Sequence, residues 1–192
     1  LYSSAASDVY KRQGCVQLEH ISVPNTIVRL WDYVFDKCTT LQEVTLPDGV
    51  TDIGRHVFES CCCITEMIPP KGLRKIGNGA FQGCRMLEKV VLPDGIAEIV
   101  DSLFSGCYTL TEIVIPKSVT TVSRYCFENC QCMKRYYFLP DSPPELTTTG
   151  TFLGLPKDCK FYVPKGRLDV YQTAESWSSY ASYMVEMEGD VL

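Results

Sequence analysis

Phenylalanine recurs at Phe35, Phe58, Phe81, Phe104 and Phe127, each step being 23 residues. Cysteine follows three residues later at Cys38, Cys61, Cys84, Cys107 and Cys130, and the same register reaches back to Cys15. Proline keeps step at Pro24, Pro47, Pro70, Pro93 and Pro116. So do aliphatic columns: Leu18, Leu41, Ile64, Leu87, Leu110 and Met133; Ile21, Val44, Met67, Val90 and Ile113; Leu30, Ile53, Ile76, Ile99 and Val122. Several columns that hold one register without insertion leave little freedom. A unit of this length cannot bury its own apolar face, so the units must stack and share one continuous core.

One unit can be read physically. Leu87–Leu92 reads as a short strand with apolar residues on its inward side. Pro93-Asp94-Gly95 ends it, because proline pre-sets a turn and glycine tolerates positive φ. Ile96–Ile99 is a second short extended piece, and 101–106 is expected to carry Phe104 on a helical turn or short helix. Cys107 then closes the unit with a small side chain suited to burial. The expected fold is an α/β solenoid of stacked 23-residue repeats. It has a parallel β-sheet face, short second strands and short helices.

Leu-x-x-Val-x-Leu-Pro-x-x-Val-x-x-Ile-Gly-x-x-x-Phe-x-x-Cys resembles the repeat of the BspA-like, or Treponema pallidum-type, leucine-rich repeat proteins. Residues 41–61, 87–107 and 110–130 match most fully. The resemblance covers about Cys15 to Cys132. The first copy departs from it with Trp31 where Gly54 and Gly77 stand later, and the copy after Cys130 with Tyr136, Phe138 and a displaced Pro140. The resemblance implies a leucine-rich-repeat solenoid, from a gut bacterium, that is exported or surface-anchored. Some such proteins are adhesins for host matrix or microbial surface proteins.

The ends differ from the array. Residues 1–13 (LYSSAASDVYKRQ) lack an apolar core and the repeat pattern. They read as a non-native, linker-derived tail that carries no export signal. The repeat array is expected over 14–139, about five to six units, and a degenerate last repeat with a C-terminal cap over 140–192. Asp141–Pro144 reads as a linker, continued by Thr147–Thr149. Cys159–Gly166 reads as a final strand and turn, and Leu168–Tyr171 and Trp177–Tyr183 as short helices that close the open core.

Eleven cysteines among 192 residues would suit a disulfide framework in a secreted chain. Their place in the repeat instead makes Cys38 to Cys130 a buried, reduced ladder. Cys62, Cys63, Cys126 and Cys132 fall off that register and are expected to be the exposed thiols. No paired Cys-x-x-Cys motifs occur and there are only two histidines, His20 and His56, so no metal site is expected. His56 reads as a surface residue. No nucleophile elbow, His-x-x-x-His pair or phosphate loop is present, so neither an enzyme nor a cofactor is expected. A net charge of -5 argues against nucleic acid, and no apolar run approaches the roughly 20 residues of a membrane helix.

The outward side of the strands is more informative. One column reads Ser22, Thr45, Ile68, Val91, Val114, Tyr137, and its last four members are apolar. A contiguous exposed apolar strip can mark a partner site, although β-branched residues also suit strands for their own sake. A flanking column, His20, Glu43, Glu66, Lys89, Glu112, Arg135, has mixed sign and would form a polar rim. The expected function is a monomeric, non-enzymatic protein-interaction or adhesion module, extracellular or at the cell surface. One alternative is a structural spacer of a larger surface protein. The other is a carbohydrate-binding module using Trp177, Tyr162 and Tyr171, although these aromatics read first as cap core.

Overall fold

The computed structural model describes residues 12–148 and 150–189. The chain winds as a parallel-strand solenoid of about seven turns. The first strand of each turn is β1 (His20–Ser22), β3 (Glu43–Thr45), β5 (Glu66–Met67), β7 (Lys89–Val90), β9 (Glu112–Ile115), β11 (Arg135–Phe138) and β13 (Lys160–Val163). The second strands are β2 (Arg29–Leu30), β4 (Asp52–Ile53), β6 (Lys75–Ile76), β8 (Glu98–Ile99), β10 (Thr121–Val122) and β12 (Glu145–Leu146), and β14 (Met184–Glu186) follows the last turn. Pairing is parallel and keeps the sequence register, His20 opposite Glu43 and Asp52 opposite Lys75. Inward residues therefore stack on their own repeats. Ile113, Tyr136, Phe161 and Met184 form one such row.

Phenylalanine fixes the core. The rings of Phe35, Phe58, Phe81, Phe104 and Phe127 lie face to face with centroids 5.5, 5.5, 5.7 and 5.8 Å apart. All five are buried. The stack does not stop where the sequence repeat stops near Cys132. Phe152 lies 5.7 Å from Phe127 with its ring tilted by 3°, although its step is 25 residues rather than 23.

Of the helical turn or short helix expected for the segment bearing each phenylalanine, the structure has a series of turns and no helix. Two residues per unit sit in the left-handed region, four apart. They are Tyr33 and Lys37, His56 and Ser60, Gly79 and Gly83, Ser102 and Gly106, Tyr125 and Asn129, with φ between 54° and 74°. A left-handed residue ends right-handed helical propagation. The amides are used between turns instead: Phe58 N–H donates to the Ala80 carbonyl (2.8 Å) and Ser60 N–H to that of Gln82 (2.8 Å). Among the described residues, helix is confined to α1 (Leu168–Thr173) and a 3-10 helix over Ser178–Tyr183.

Cysteine completes the same hydrogen-bond system. The thiol of Cys61 donates to the carbonyl of Phe35 (3.1 Å), Cys84 to Phe58 (3.1 Å), Cys107 to Phe81 (3.2 Å) and Cys130 to Phe104 (3.3 Å). Each Phe35-type carbonyl also accepts the N–H of the cysteine three residues on. Both lone pairs of the Phe35, Phe58, Phe81 and Phe104 carbonyls are thus used. Cys38 donates to the carbonyl of Arg12 (2.9 Å), so Arg12 stands at the phenylalanine position of an earlier turn. Gln13 donates to the buried carboxylate of Asp36 (2.9 Å). These two residues of the expected tail thus lie in the repeat register, and its residues 1–11 lie outside the described residues.

The C-terminal end is closed by aromatics. Trp177 and Tyr171 are fully buried, and Trp177 packs edge-on against Phe138 with centroids 4.9 Å apart. Their polar atoms are spent on the chain that precedes them. Tyr171 O–H donates to the Pro140 carbonyl (2.8 Å) and Trp177 Nε1–H to that of Pro144 (2.7 Å). The stretch expected as a linker is therefore anchored. Pro140 and Pro144 are buried, and β12 pairs with β10 directly after them. Thr149, assigned to the same linker, lies outside the described residues.

Two outcomes follow. Phe81→Ala removes a ring with neighbours on both faces and should cost about 3–5 kcal/mol in urea unfolding. A cost below about 1 kcal/mol would show that the stack does not hold the core together. The second concerns alkali. Burial pushes the thiols of Cys61, Cys84 and Cys107 well up, and that of Cys130 up to about 12. A raised value in the folded chain means the contribution is intact below the unfolded-state value of about 8.5 and shrinks above it. Unfolding free energy should fall between about pH 8.5 and 10.5, each buried thiol adding up to about 1.4 kcal/mol per pH unit. Urea melts across that range should show a smaller slope for Cys84→Ala than for the parent.

Candidate interaction face

Strand alternation turns every second side chain of β1, β3, β5, β7, β9, β11 and β13 away from the core. The outward column has graded exposure. Thr45 is exposed, Ile68 is 69% and Val91 47% exposed, and Val114 and Tyr137 are half-buried. Val114 stands opposite Tyr137 in register. Ile68 lies just past the end of β5, where Pro69 follows and offers no N–H to extend the ladder.

The column continues two rungs further than the repeat predicts. Tyr137 pairs with Tyr162, and Tyr162 with Val185. The two tyrosine rings stack with centroids 4.9 Å apart and planes 25° apart. Sequence reasoning missed this because the step from Tyr137 to Tyr162 is 25 residues. The signal was present: Lys160-Phe-Tyr-Val163 repeats the alternation of Arg135-Tyr-Tyr-Phe138. Burial pushes the Tyr137 hydroxyl up, Arg135 opposes this, and Glu112 and Tyr162 add to it.

The flanking column pairs off. His20 meets Glu43 at 3.3 Å, Lys89 meets Glu66 at 3.2 Å, and Arg135 meets Glu112 at 2.7 Å. Arg135 places both Nε and Nη2 on one Glu112 oxygen, and that hydrogen bonding pushes its guanidinium up. Exposed pairs of this kind contribute less than about 1 kcal/mol each. They leave a rim of alternating sign rather than a field of one sign.

Other predicted candidates fall elsewhere. Cys132 is exposed and Cys62 and Cys63 are half-buried, but Cys126 is fully buried, against expectation. It shares the inward register of Val34, Val57, Ala80 and Leu103, all buried, and so packs as they do. His56 is half-buried rather than a surface residue. Its ring stacks on Tyr33 at 5.0 Å, and its Nδ1 lies 2.9 Å from Glu59. A Cβ at Gly79 would come within 2.5 Å of that ring, so glycine is required where the next turn crosses it. Trp177 and Tyr171, the proposed sugar-stacking residues, are sealed in the core, which leaves only Tyr162 at the surface. No group of three His, Cys, Asp or Glu side chains able to hold a metal occurs among the described residues. None of the helices among them is long and apolar enough to cross a membrane.

A second feature was not foreseen. The second strands carry Arg29, Asp52 and Lys75 in one row, opposite charges in register. They line a groove of about 580 Å³ with Arg55, Arg74 and Glu98. Arg55 holds Asp32 at 2.8 Å, so much of its charge is spoken for.

Residues 7–134 match the BspA type leucine rich repeat region in six copies. The chain belongs to that family. The match is to a repeat scaffold, and no catalytic family is indicated. Among solved structures, the chain is similar to the pneumococcal vaccine antigen PcpA (TM-score 0.66, 21% identity, covering 90% of this chain and 42% of that one). It is similar to the T. pallidum leucine-rich-repeat protein TpLRR (0.61, 25%, 89% and 72%). A leucine-rich-repeat protein from Bacteroides ovatus is a third (0.55, 24%, 80% and 47%). The chain thus spans less than half the length of the PcpA and B. ovatus structures. No curated protein matches it in sequence.

The outward face should tolerate charge where the core does not. Ile68→Glu should leave the urea midpoint within the scatter of ordinary surface changes, about 0.5 kcal/mol. Met67→Glu, one residue away and 1% exposed, should unfold the chain or cost several kcal/mol. Equal effects of the two, in parallel urea titrations, would mean the sides of the strand are misassigned.

Proposed function

We propose that this protein is a non-enzymatic interaction module that binds another protein through the outward face of its first strands, at the surface of a bacterial cell. The supporting observation is the outward apolar column, Ile68 and Val91 just past β5 and β7 and then Val114, Tyr137, Tyr162 and Val185 in register, bordered by the pairs Lys89–Glu66 and Arg135–Glu112. Rungs about 5 Å apart make such a column a flat strip rather than a pocket, and a flat strip suits a protein partner better than a small substrate. The rim pairs cost a partner little to displace. Surface display draws on family resemblance, and the description of PcpA as a vaccine antigen fits it. Host matrix and microbial surface proteins are the proposed partners, and a monomer is the proposed acting form.

The alternatives lose ground on particular residues. A carbohydrate module built on Trp177 and Tyr171 has both rings buried. A pure spacer would have no use for Ile68 and Val91 at their exposures.

The triple variant Ile68→Glu, Val91→Glu, Val114→Glu tests the reading. Binding of purified host matrix proteins to the immobilised chain should fall at least tenfold, about 1.4 kcal/mol or more, with the urea midpoint unchanged. Unchanged affinity with an intact fold removes this face and leaves the spacer reading.

A further inference from the structure

We propose that the step between Tyr162 and Val185 on the outward face is a pocket for one cationic side chain, arginine or lysine, of a protein partner. The proposal rests on the reading of this face as a protein-binding surface, and it names the chemistry of the contact. Tyr137 and Tyr162 stack on each other, so each ring spends one face on its neighbour. The next rung beyond Tyr162 is Val185, which is too short to cover a phenol ring. The second face of Tyr162 therefore looks onto open space along the sheet. A groove of about 620 Å³ runs along this end of the column, lined by Tyr137, Tyr162 and Val185 with Glu186, Met187 and Glu188.

The lining holds two carboxylates and no cation. Glu186 Oε1 accepts the N–H of Gly166 (2.9 Å), which fixes it at the rim. Glu188 is exposed and has no ion pair among the described residues. Glu188 also lines two adjoining clefts with Lys165 and, in one of them, Lys117, and it pairs with neither among the described residues. Arg135, the cation beside Tyr137, is already held at 2.7 Å by Glu112. An open aromatic face beside an unpaired carboxylate is complementary to a guanidinium or ammonium group. The ring quadrupole and the carboxylate attract it together, and the thioether of Met187 can pack on its alkyl stem. An anion would be repelled by the carboxylates, and a neutral sugar lacks the charge that they attract.

The test needs no identified partner. N-acetyl-L-arginine methylamide is titrated into the full chain, and its uncharged isostere N-acetyl-L-citrulline methylamide serves as the control. Tyrosine ring and valine methyl NMR signals are followed. The arginine amide should shift Tyr137, Tyr162 and Val185 saturably, at least about fivefold more tightly than the citrulline amide. Tyr162→Leu should abolish the response. Glu188→Gln, an exposed change with no folding cost, should weaken it about threefold and flatten its dependence on salt. Equal responses to the two amides overturn the proposal. So do shifts that survive Tyr162→Leu, or shifts spread equally over the methyls of Val91 and Val114. Any of these results leaves the Ile68, Val91, Val114 test standing, and loss of that face would not alter the titration.

Discussion

The carbonyl oxygen of each column phenylalanine is where the fold is tied together. In Phe35, Phe58, Phe81 and Phe104 it accepts an N–H from its own turn and an S–H from the cysteine of the next turn, while the ring of the same residue stacks on the ring of that next turn. A buried carbonyl left with an empty lone pair in an apolar core costs free energy. A serine could donate the same bond but carries a more strongly hydrated group into the core; alanine could not donate at all. Cysteine is small, apolar in transfer and still a weak donor. The thiols are thus committed to hydrogen bonds by their geometry. The repeat length follows from the same requirement, because a carbonyl and a thiol in neighbouring turns meet only if both turns have equal contour.

That constraint explains what the sequence made legible. Columns of Phe, Cys and aliphatic residues at one period specify stacking, strand positions and which side faces in, and each of these is found as read. The backbone between them was less legible. The two left-handed residues per turn are filled by Tyr33, Lys37, His56, Ser60, Ser102, Tyr125 and Asn129 more often than by glycine, so no residue type marks them. Helical spacing around Phe58 or Phe104 could not show that the amides there are taken by the next turn. Cys126 was misplaced for a related reason. It was judged by its distance from the cysteine column, when it belongs to the aliphatic column of Val57 and Leu103.

The C-terminal part was obscured by a length change, not by a change of architecture. Two extra residues between Phe127 and Phe152, and between Tyr137 and Tyr162, break any search at a fixed period. The structure absorbs them in the Pro140–Leu155 stretch while the strands and rings keep their stacking. The prolines that look like linker residues are the acceptors for Tyr171 and Trp177, so the closing aromatics and the inserted residues are one device. An open solenoid end would present Phe138 and Phe161 to water. The indole and phenol cover them without stranding their own donors, because the inserted chain supplies two carbonyls at the right height.

The same change of length shapes the surface. In the regular turns the outward column carries short side chains, Thr45, Ile68, Val91 and Val114, that cannot enclose anything. Where the irregular turn begins, tyrosines replace them at Tyr137 and Tyr162, and the column then drops to Val185. A strip of equal heights can only be flat; a tall rung followed by a short one makes a wall. Relief on this face therefore arises only at the end where the repeat is broken, and the chain segment that closes the core there also brings Glu186 and Glu188 alongside the wall. The flat part suits contact by area, while the step beside it is the one place on the strip where a single side chain of a partner can be held on more than one side.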